Sequence, residues 1–344
     1  MIYKFSLIEK LLLSNDIIPH PFADAASSVG LGFALGCAVK LKIADALTVE
    51  ANSVKNIANA AKVSETGAEL ILDCLDALGY VQKSSAGYAF TKRGFKNLSP
   101  KSPDNFRHFI LFCDNLYKGY LHLDETVRLG KHSQTMLEDM TEHEWELFSR
   151  AMIDISKTNV KEVAGKVPVP KNAVQLLDLG GSHGQYSIEL CKRNPGLKAI
   201  VVDLPPVEKY ARECIEQHSA AGQVSFLPAD FMKDEIPANN DLVLAFNIIH
   251  GLNPAENEVL ARKAFNALKP GGLYVILDQI KGIGGSSQLS KATTSYMALN
   301  LLHQAGGKTY SHAEVGSFAK NAGFGKTELK KLNAPGFGVI TCFK

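Results

Sequence analysis

The chain has 344 residues, a length that implies about two domains, each able to bury a core of its own. Apolar residues make up 46% and charged residues 21%, and Gly and Pro follow no fixed period, which disfavours collagen, coiled coil and disorder. The net charge of +2, with no long run of Lys and Arg, offers no phosphate-neutralising surface, so nucleic acid is not an expected partner.

The first twenty residues, MIYKFSLIEKLLLSNDIIPH, carry Glu9 and Lys10 inside their apolar stretch and lack a small-residue cleavage site, which argues against a secretory signal. The longest uncharged apolar stretch, Ala25 to Val39, is shorter than the roughly 20 residues that span a bilayer, so no membrane insertion is expected. Six cysteines lie far apart, with no Cys-x-x-Cys and no metal-ligand spacing. They read as reduced thiols of a cytoplasmic protein without a metal site.

Along the chain, Ala34, Cys37, Ala38, Leu41, Ile43, Ala44 and Leu47 recur near helical spacing, and a second helical pattern covers Val54 to Ala61. Ser64 offers an N-cap to a helix whose Leu70, Ile71, Cys74, Leu75 and Leu78 form an apolar face. Gly79 ends it, and residues from Tyr80 to Thr91 read as two short strands around Ser-Ser-Ala-Gly. Three helices and a hairpin make a winged-helix pattern. Residues 1–100 hold ten basic side chains against nine acidic ones, and the candidate recognition helix carries Glu69, Asp73 and Asp76 without Lys or Arg. Such a helix repels phosphates, so dimerisation is the expected role.

Helical patterning continues from Pro103 to Val167, and Pro168, Pro170 and Asn172 break it. Short β-rich runs then alternate with helical segments: Val174 to Leu179, Ala199 to Val202, Val224 to Leu227, Leu242 to Phe246 and Tyr274 to Leu277. That alternation predicts an α/β, doubly wound Rossmann-like sheet. The expected division is 1–100 winged-helix-like dimerisation domain, 101–168 connecting helices and substrate wall, and 169–344 catalytic domain. Substrate-wall candidates are Phe112, Phe148, Met152, Tyr296, Met297, Asn300 and His303, residue types that equally suit ordinary helix packing.

The segment VQLLDLGGSHGQYSIEL, residues 174–190, runs from a buried strand through a glycine turn into a helix, and a ligand is expected where the strand ends. Glycines at 180, 181 and 184 let backbone approach that ligand closely. Nicotinamide, flavin and adenosyl cofactors all use related turns. Asp178, just before the glycines, suits a cofactor bearing an ammonium better than one bearing a pyrophosphate. Asp203, about 25 residues further on, is placed to accept from two ribose hydroxyls. Asp230 and Phe231 follow the third strand, where a carboxylate can receive an adenine amino group and a ring can pack on the base.

DLGGSHG, DLPPV, the Ala229-Asp230-Phe231 turn, NIIHGLNPAEN and LKPGGLYVILD, in that order, resemble the class I S-adenosylmethionine-dependent methyltransferases. More closely, the chain is similar to the two-domain small-molecule O-methyltransferases of plants and their bacterial tailoring relatives, over nearly its whole length. The resemblance implies a methyltransferase sheet behind a helical winged-helix dimerisation domain, a homodimer, S-adenosyl-L-methionine as cofactor, and a small, aromatic or polyketide-like substrate of secondary metabolism. It implies cofactor contacts from Gly180, Asp203, Asp230 and Phe231, with Ser156 at the methionyl end. A family lysine near the adenine is replaced by Phe246.

Removing a hydroxyl proton near neutral pH suits a histidine. His250 closes the apolar strand LVLAFNIIH on the edge that carries the glycine loop, and the resemblance places the family's base there. His183, inside the glycine loop, is the only other histidine with a suggestive context. Two departures stand out. Where relatives carry His-Asp this chain has His250-Gly251, and where they carry a glutamate it has Thr309. Asp278, at the end of YVILD, matches the remaining carboxylate expected to orient the imidazole. Either Asp278 suffices, or the acceptor needs no strong base. The alternatives are transfer to carbon or nitrogen, non-methylating chemistry on the same fold, a nicotinamide-dependent oxidoreductase, and a ligand-sensing winged-helix regulator.

Overall fold

The computed structural model describes residues 22–132 and 140–344, so the extreme N-terminal segment read above lies outside the described residues. Two compact units divide the chain after Asn115.

In the first unit, α1 (Ser28–Lys40), α2 (Val54–Ala61) and α3 (Glu65–Ala77) precede a hairpin of β1 (Val81–Ser84) and β2 (Gly87–Phe90), followed by α4 (Lys92–Leu98). Side-chain oxygens cap the helices as the sequence anticipates: Ser53 accepts from the Asn56 N–H and Ser64 from the Gly67 N–H. Ala38, Val39, Ile57, Leu72, Leu75, Val81, Tyr88 and Leu98 form one buried cluster, so the hairpin and helices share a core. α5 (Arg107–Tyr120) leads out of this unit.

The second unit begins with α6 (Leu123–Leu129), α7 (Glu142–Ser156) and α8 (Val160–Lys166). Its sheet contains β3 (Gln175–Leu179), β4 (Lys198–Asp203), β5 (Val224–Pro228), β6 (Asn240–Phe246), β7 (Leu268–Lys281), β8 (Tyr310–Ser311), β9 (Thr327–Lys331) and β10 (Phe337–Phe343). The order is β5-β4-β3-β6-β7-β10-β9, with β8 paired to β7. Strands β3 to β7 are parallel, and β10 runs antiparallel to both β7 and β9.

Helices α9 (Gln185–Arg193), α10 (Glu208–Gln217), α11 (Pro254–Ala267), α12 (Gln288–Ala305) and α13 (His312–Ala322) connect the strands. Alternate residues of β3, β6 and β7 feed two separate buried clusters, Leu176, Leu242, Leu244 and Val275 in one and Leu177, Val243, Ala245 and Ile276 in the other. That period of two marks a sheet covered on both faces.

The chain lays down β3, β4 and β5 to one side, then returns to place β6 on the other side of β3. The β3 and β6 carboxyl ends therefore open a crevice at the point where strand order reverses, the standard ligand position in such sheets. Among the described residues no helix is long and apolar enough to cross a membrane.

Candidate active site

At the end of β3 the Gly180 N–H donates to the Val202 carbonyl at 2.8 Å, which turns the chain across the top of β4. Gly180 adopts φ +67°, and a Cβ there would sit 2.3 Å from Ile248 Cδ1 and 3.3 Å from Phe231 Cε1. The loops after β3, β5 and β6 thus converge on one glycine, and only a residue without a side chain fits between them.

Asp203 ends β4 with both carboxylate oxygens held by backbone donors, the Ser182 N–H at 2.8 Å and the Leu204 N–H at 2.7 Å. Burial raises its pKa to about 6 against the lowering effect of these two bonds. The remaining lone pairs are free to accept from a diol. Asp230, after β5, accepts from the Met232 N–H at 3.0 Å and pairs with Lys233 at 3.0 Å. Burial pushes its pKa up, but Lys233 and the Met232 N–H outweigh that and hold it below the ordinary value. Phe231 next to it is braced by Lys263, whose ammonium donates to the Phe231 carbonyl at 2.8 Å.

Asp178 and His183 brace the loop from beneath. The Asp178 carboxylate accepts from the Ser187 hydroxyl at 2.6 Å and lies where a Gly181 Cβ would meet it at 2.5 Å. It ties α9 to β3 through Oδ2, while its buried Oδ1 has no hydrogen-bond partner among the described residues. Burial first, then the charge of Asp203, raises its pKa to about 6 despite the Ser187 bond. His183 is buried, accepts from the Gln185 N–H at 3.0 Å and bonds the Met152 carbonyl, and burial lowers its pKa to about 4. A neutral imidazole so fixed is a strut between the loop and α7. Ser156 is likewise engaged, its hydroxyl lying 2.5 Å from Gln185 Oε1 and 2.8 Å from the Ile153 carbonyl. Phe246 is buried and packs edge-on against Tyr186 with centroids 5.3 Å apart.

Beyond β6, Asn247 takes a left-handed φ of +57° and a short 3₁₀ turn, Ile249–Gly251, presents His250. His250 Nδ1 lies 2.8 Å from Asp278 Oδ1, and the His250 backbone N–H donates to Asp278 Oδ2 at 3.3 Å. Asp278 is fully buried on β7 and also accepts from the Gln279 N–H at 2.7 Å. Burial lowers the His250 pKa, but the charge of Asp278 and its hydrogen bond outweigh that, so the net shift is upward. The neutral ring carries its proton on Nδ1, leaving the Nε2 lone pair free.

Of the substrate-wall candidates, Tyr296 and Asn300 on α12 both meet the Tyr120 hydroxyl, at 3.0 Å and 2.5 Å. His303 is buried, with Nδ1 2.8 Å from Thr126 Oγ1 and its ring stacked on Tyr120. Phe148 packs edge-on against Trp145, and Phe112 is buried.

Sequence reasoning missed Ile248, which fills the space above Gly180, and the backbone of Gly307-Lys308, whose Lys308 N–H donates to the His250 carbonyl at 2.9 Å. Backbone contacts of this kind leave no side-chain signal. Among the described residues no cluster of His, Cys, Asp and Glu could hold a metal ion.

The chain is similar to known proteins over most of its length. The O-methyltransferase domain family matches residues 127–325, and the O-methyltransferase dimerisation domain matches residues 25–97. A curated relative, the 3-hydroxy-5-methyl-1-naphthoate 3-O-methyltransferase of Streptomyces sahachiroi, is 26% identical over 333 residues, covering 95% of each chain. The fold matches human N-acetylserotonin methyltransferase in complex with S-adenosylmethionine, with a TM-score of 0.83 and 23% identity over 100% of this chain and 99% of that one. It also matches an O-methyltransferase family protein from Burkholderia thailandensis, with a TM-score of 0.78 and 20% identity over 99% and 98%.

A doubly wound sheet with a glycine cradle and a carboxylate at successive strand ends defines the class, and the chain belongs to the O-methyltransferase family, with a family dimerisation domain at its N-terminal side. It is an S-adenosylmethionine-dependent enzyme.

Proposed function

We propose that this enzyme methylates a hydroxyl of a small aromatic or polyketide-like metabolite, with His250 as general base and Asp278 orienting it. The observation that carries this reading is the 2.8 Å His250–Asp278 pair standing on the same sheet edge as the glycine cradle. The relatives support the acceptor class, since two of those named above are methyltransferases of a hydroxynaphthoate and of N-acetylserotonin.

S-adenosylmethionine, when bound, supplies an electrophilic methyl group on a sulfonium. Gly180 and its neighbours would admit the cofactor backbone-close, Asp203 would accept from the ribose hydroxyls, and Asp230 and Phe231 would flank the adenine. Ser156 would stand near the methionyl end, through Gln185. His250 takes the acceptor proton on Nε2, and Asp278 stabilises the imidazolium that results. The acceptor oxygen keeps its electron pair for the displacement, and holding it in line supplies much of the rate. With Thr309 in place of a second carboxylate, acidic hydroxyls are the favoured acceptors.

The family dimerisation domain supports a homodimer, and the acceptor class a place in secondary metabolism, within the cytoplasm. The test is transfer of a labelled methyl group from S-adenosylmethionine to a panel of hydroxynaphthalenes and phenols, each paired with its analogue lacking the hydroxyl. Label in the hydroxylated members alone supports the reading. Label in the hydroxyl-free analogues, or in neither series by protein that binds the cofactor, contradicts it.

A further inference from the structure

One side chain reaches both ends of the turn that carries His250. Asn257 sits on the first turns of α11, 3% exposed, on the face that continues through Leu260, Ala261 and Ala264 into the core. An amide on an apolar stripe is expensive unless it is bonded. Its Nδ2 lies 3.0 Å from the Ile249 carbonyl, 3.1 Å from the Leu252 carbonyl and 3.2 Å from the Asn253 carbonyl. Those acceptors bracket His250, one residue before it and two and three residues after. Three carbonyls around one group also fix which end of the amide faces them, since a side-chain oxygen there would be repelled.

We propose that Asn257 is a positioning residue for His250, tying both ends of its turn so that the ring and the backbone N–H face Asp278 together. The Tyr310 hydroxyl adds a bond to the Leu252 carbonyl at 2.6 Å, but it reaches only the far end of the turn. The Lys308 N–H holds the His250 carbonyl itself. Besides the turn's own backbone bonds, Gly251 N–H to the Ile248 carbonyl at 3.0 Å and Leu252 N–H to the Ile249 carbonyl at 3.3 Å, Asn257 is the side chain among the described residues that joins the residue before His250 to the residues after it. With Asn257 removed, the Ile249 carbonyl keeps only the long 3.3 Å bond from the Leu252 N–H and the turn loses its tie to α11, which alters the approach of Nδ1 to Asp278. The catalytic part of this inference rests on His250 being the base; the geometric part does not.

The test uses the full chain with S-adenosylhomocysteine bound and ¹⁵N-labelled histidine, read by imidazole nitrogen shifts, with His250→Ala assigning the His250 signals. The wild type is expected to show His250 as a single Nδ1–H tautomer when neutral. Asn257→Leu is expected to give a tautomer mixture at His250 and no change at the other histidines. Asn257→Ser, too short to span the turn, gives the same result should the leucine variant fail to fold. Methyl transfer by either variant falls about 10- to 100-fold in kcat with cofactor affinity unchanged, the size of loss that small misplacements of a reacting group bring.

An unchanged His250 tautomer in the folded variants overturns the inference. A mixed tautomer with unchanged kcat supports the positioning role and instead overturns His250 as the base.

Discussion

Asp278 holds His250 at two points, accepting from the ring at 2.8 Å and from the backbone N–H at 3.3 Å. A single carboxylate thus fixes both where the imidazole stands and which nitrogen carries its proton. It also raises the His250 pKa against the opposing effect of burial. A base works only when neutral, so kcat/KM should rise with pH through a midpoint above that of an ordinary histidine. Asp278→Asn removes the raising influence and leaves burial. The midpoint should move to lower pH while the plateau falls about 10- to 100-fold. A pH–rate profile of the two proteins reads both changes.

Cofactor affinity should depend on pH through Asp203. Its ionised form is the better acceptor for hydroxyl donors, and burial raises its pKa to about 6. Affinity for S-adenosylhomocysteine is therefore expected to weaken as pH falls from 7 to 5, with proton release on binding measurable by calorimetry in buffers of different ionisation enthalpy. Asp203→Ala should weaken binding about 10- to 100-fold at pH 7, the range for hydrogen bonds to a charged group, and flatten the pH dependence.

Asp178 makes a prediction about stability rather than activity. An unfolded aspartate ionises near pH 4, whereas this one holds its proton to about pH 6 when folded, because it is buried beside Asp203. Between those values the folded chain binds more protons, so stability from this group is lost as pH rises across the window. Asp178→Asn keeps an acceptor for Ser187 without the buried charge. Thermal melts of the cofactor-free protein at pH 4.5 and pH 7 should show a smaller drop for the variant than for the wild type.

Gly307 is tested by its space. A Cβ there would stand 1.8 Å from the His250 carbonyl oxygen, a contact that neither backbone can absorb without moving. Gly307→Ala should displace the His250 turn, lowering kcat while leaving cofactor affinity unaltered, since the glycine cradle lies on a different loop. Equal losses in both quantities would show instead that the substitution disturbs the whole site.

Much of this was legible in the chain. The runs at 174–179, 199–202, 224–227 and 242–246 each fall on or within one residue of an observed strand, because strands buried on both faces are near-continuous apolar stretches. β7 begins six residues before Tyr274, since Pro270-Gly271-Gly272 is absorbed as an irregularity in pairing with β6. β9 escaped the pattern: TELKK is an edge strand defended by lysines, and its polarity hides it. His250 and Asp278 were legible as a pair through the family resemblance. Asn257 was visible only as a polar residue on an apolar helix face, a signal that says burial without saying what it holds.

The most direct measurement is single-turnover methyl transfer by His250→Ala with S-adenosylmethionine saturating and a hydroxylated aromatic acceptor that the wild type methylates. With His250 as the base, cofactor binding is expected to equal the wild type and the methyl-transfer rate to be about 100-fold or more lower, in the range that a positioned acid–base group supplies. An unchanged rate at pH 7 would contradict that role and show that the acceptor loses its proton without His250.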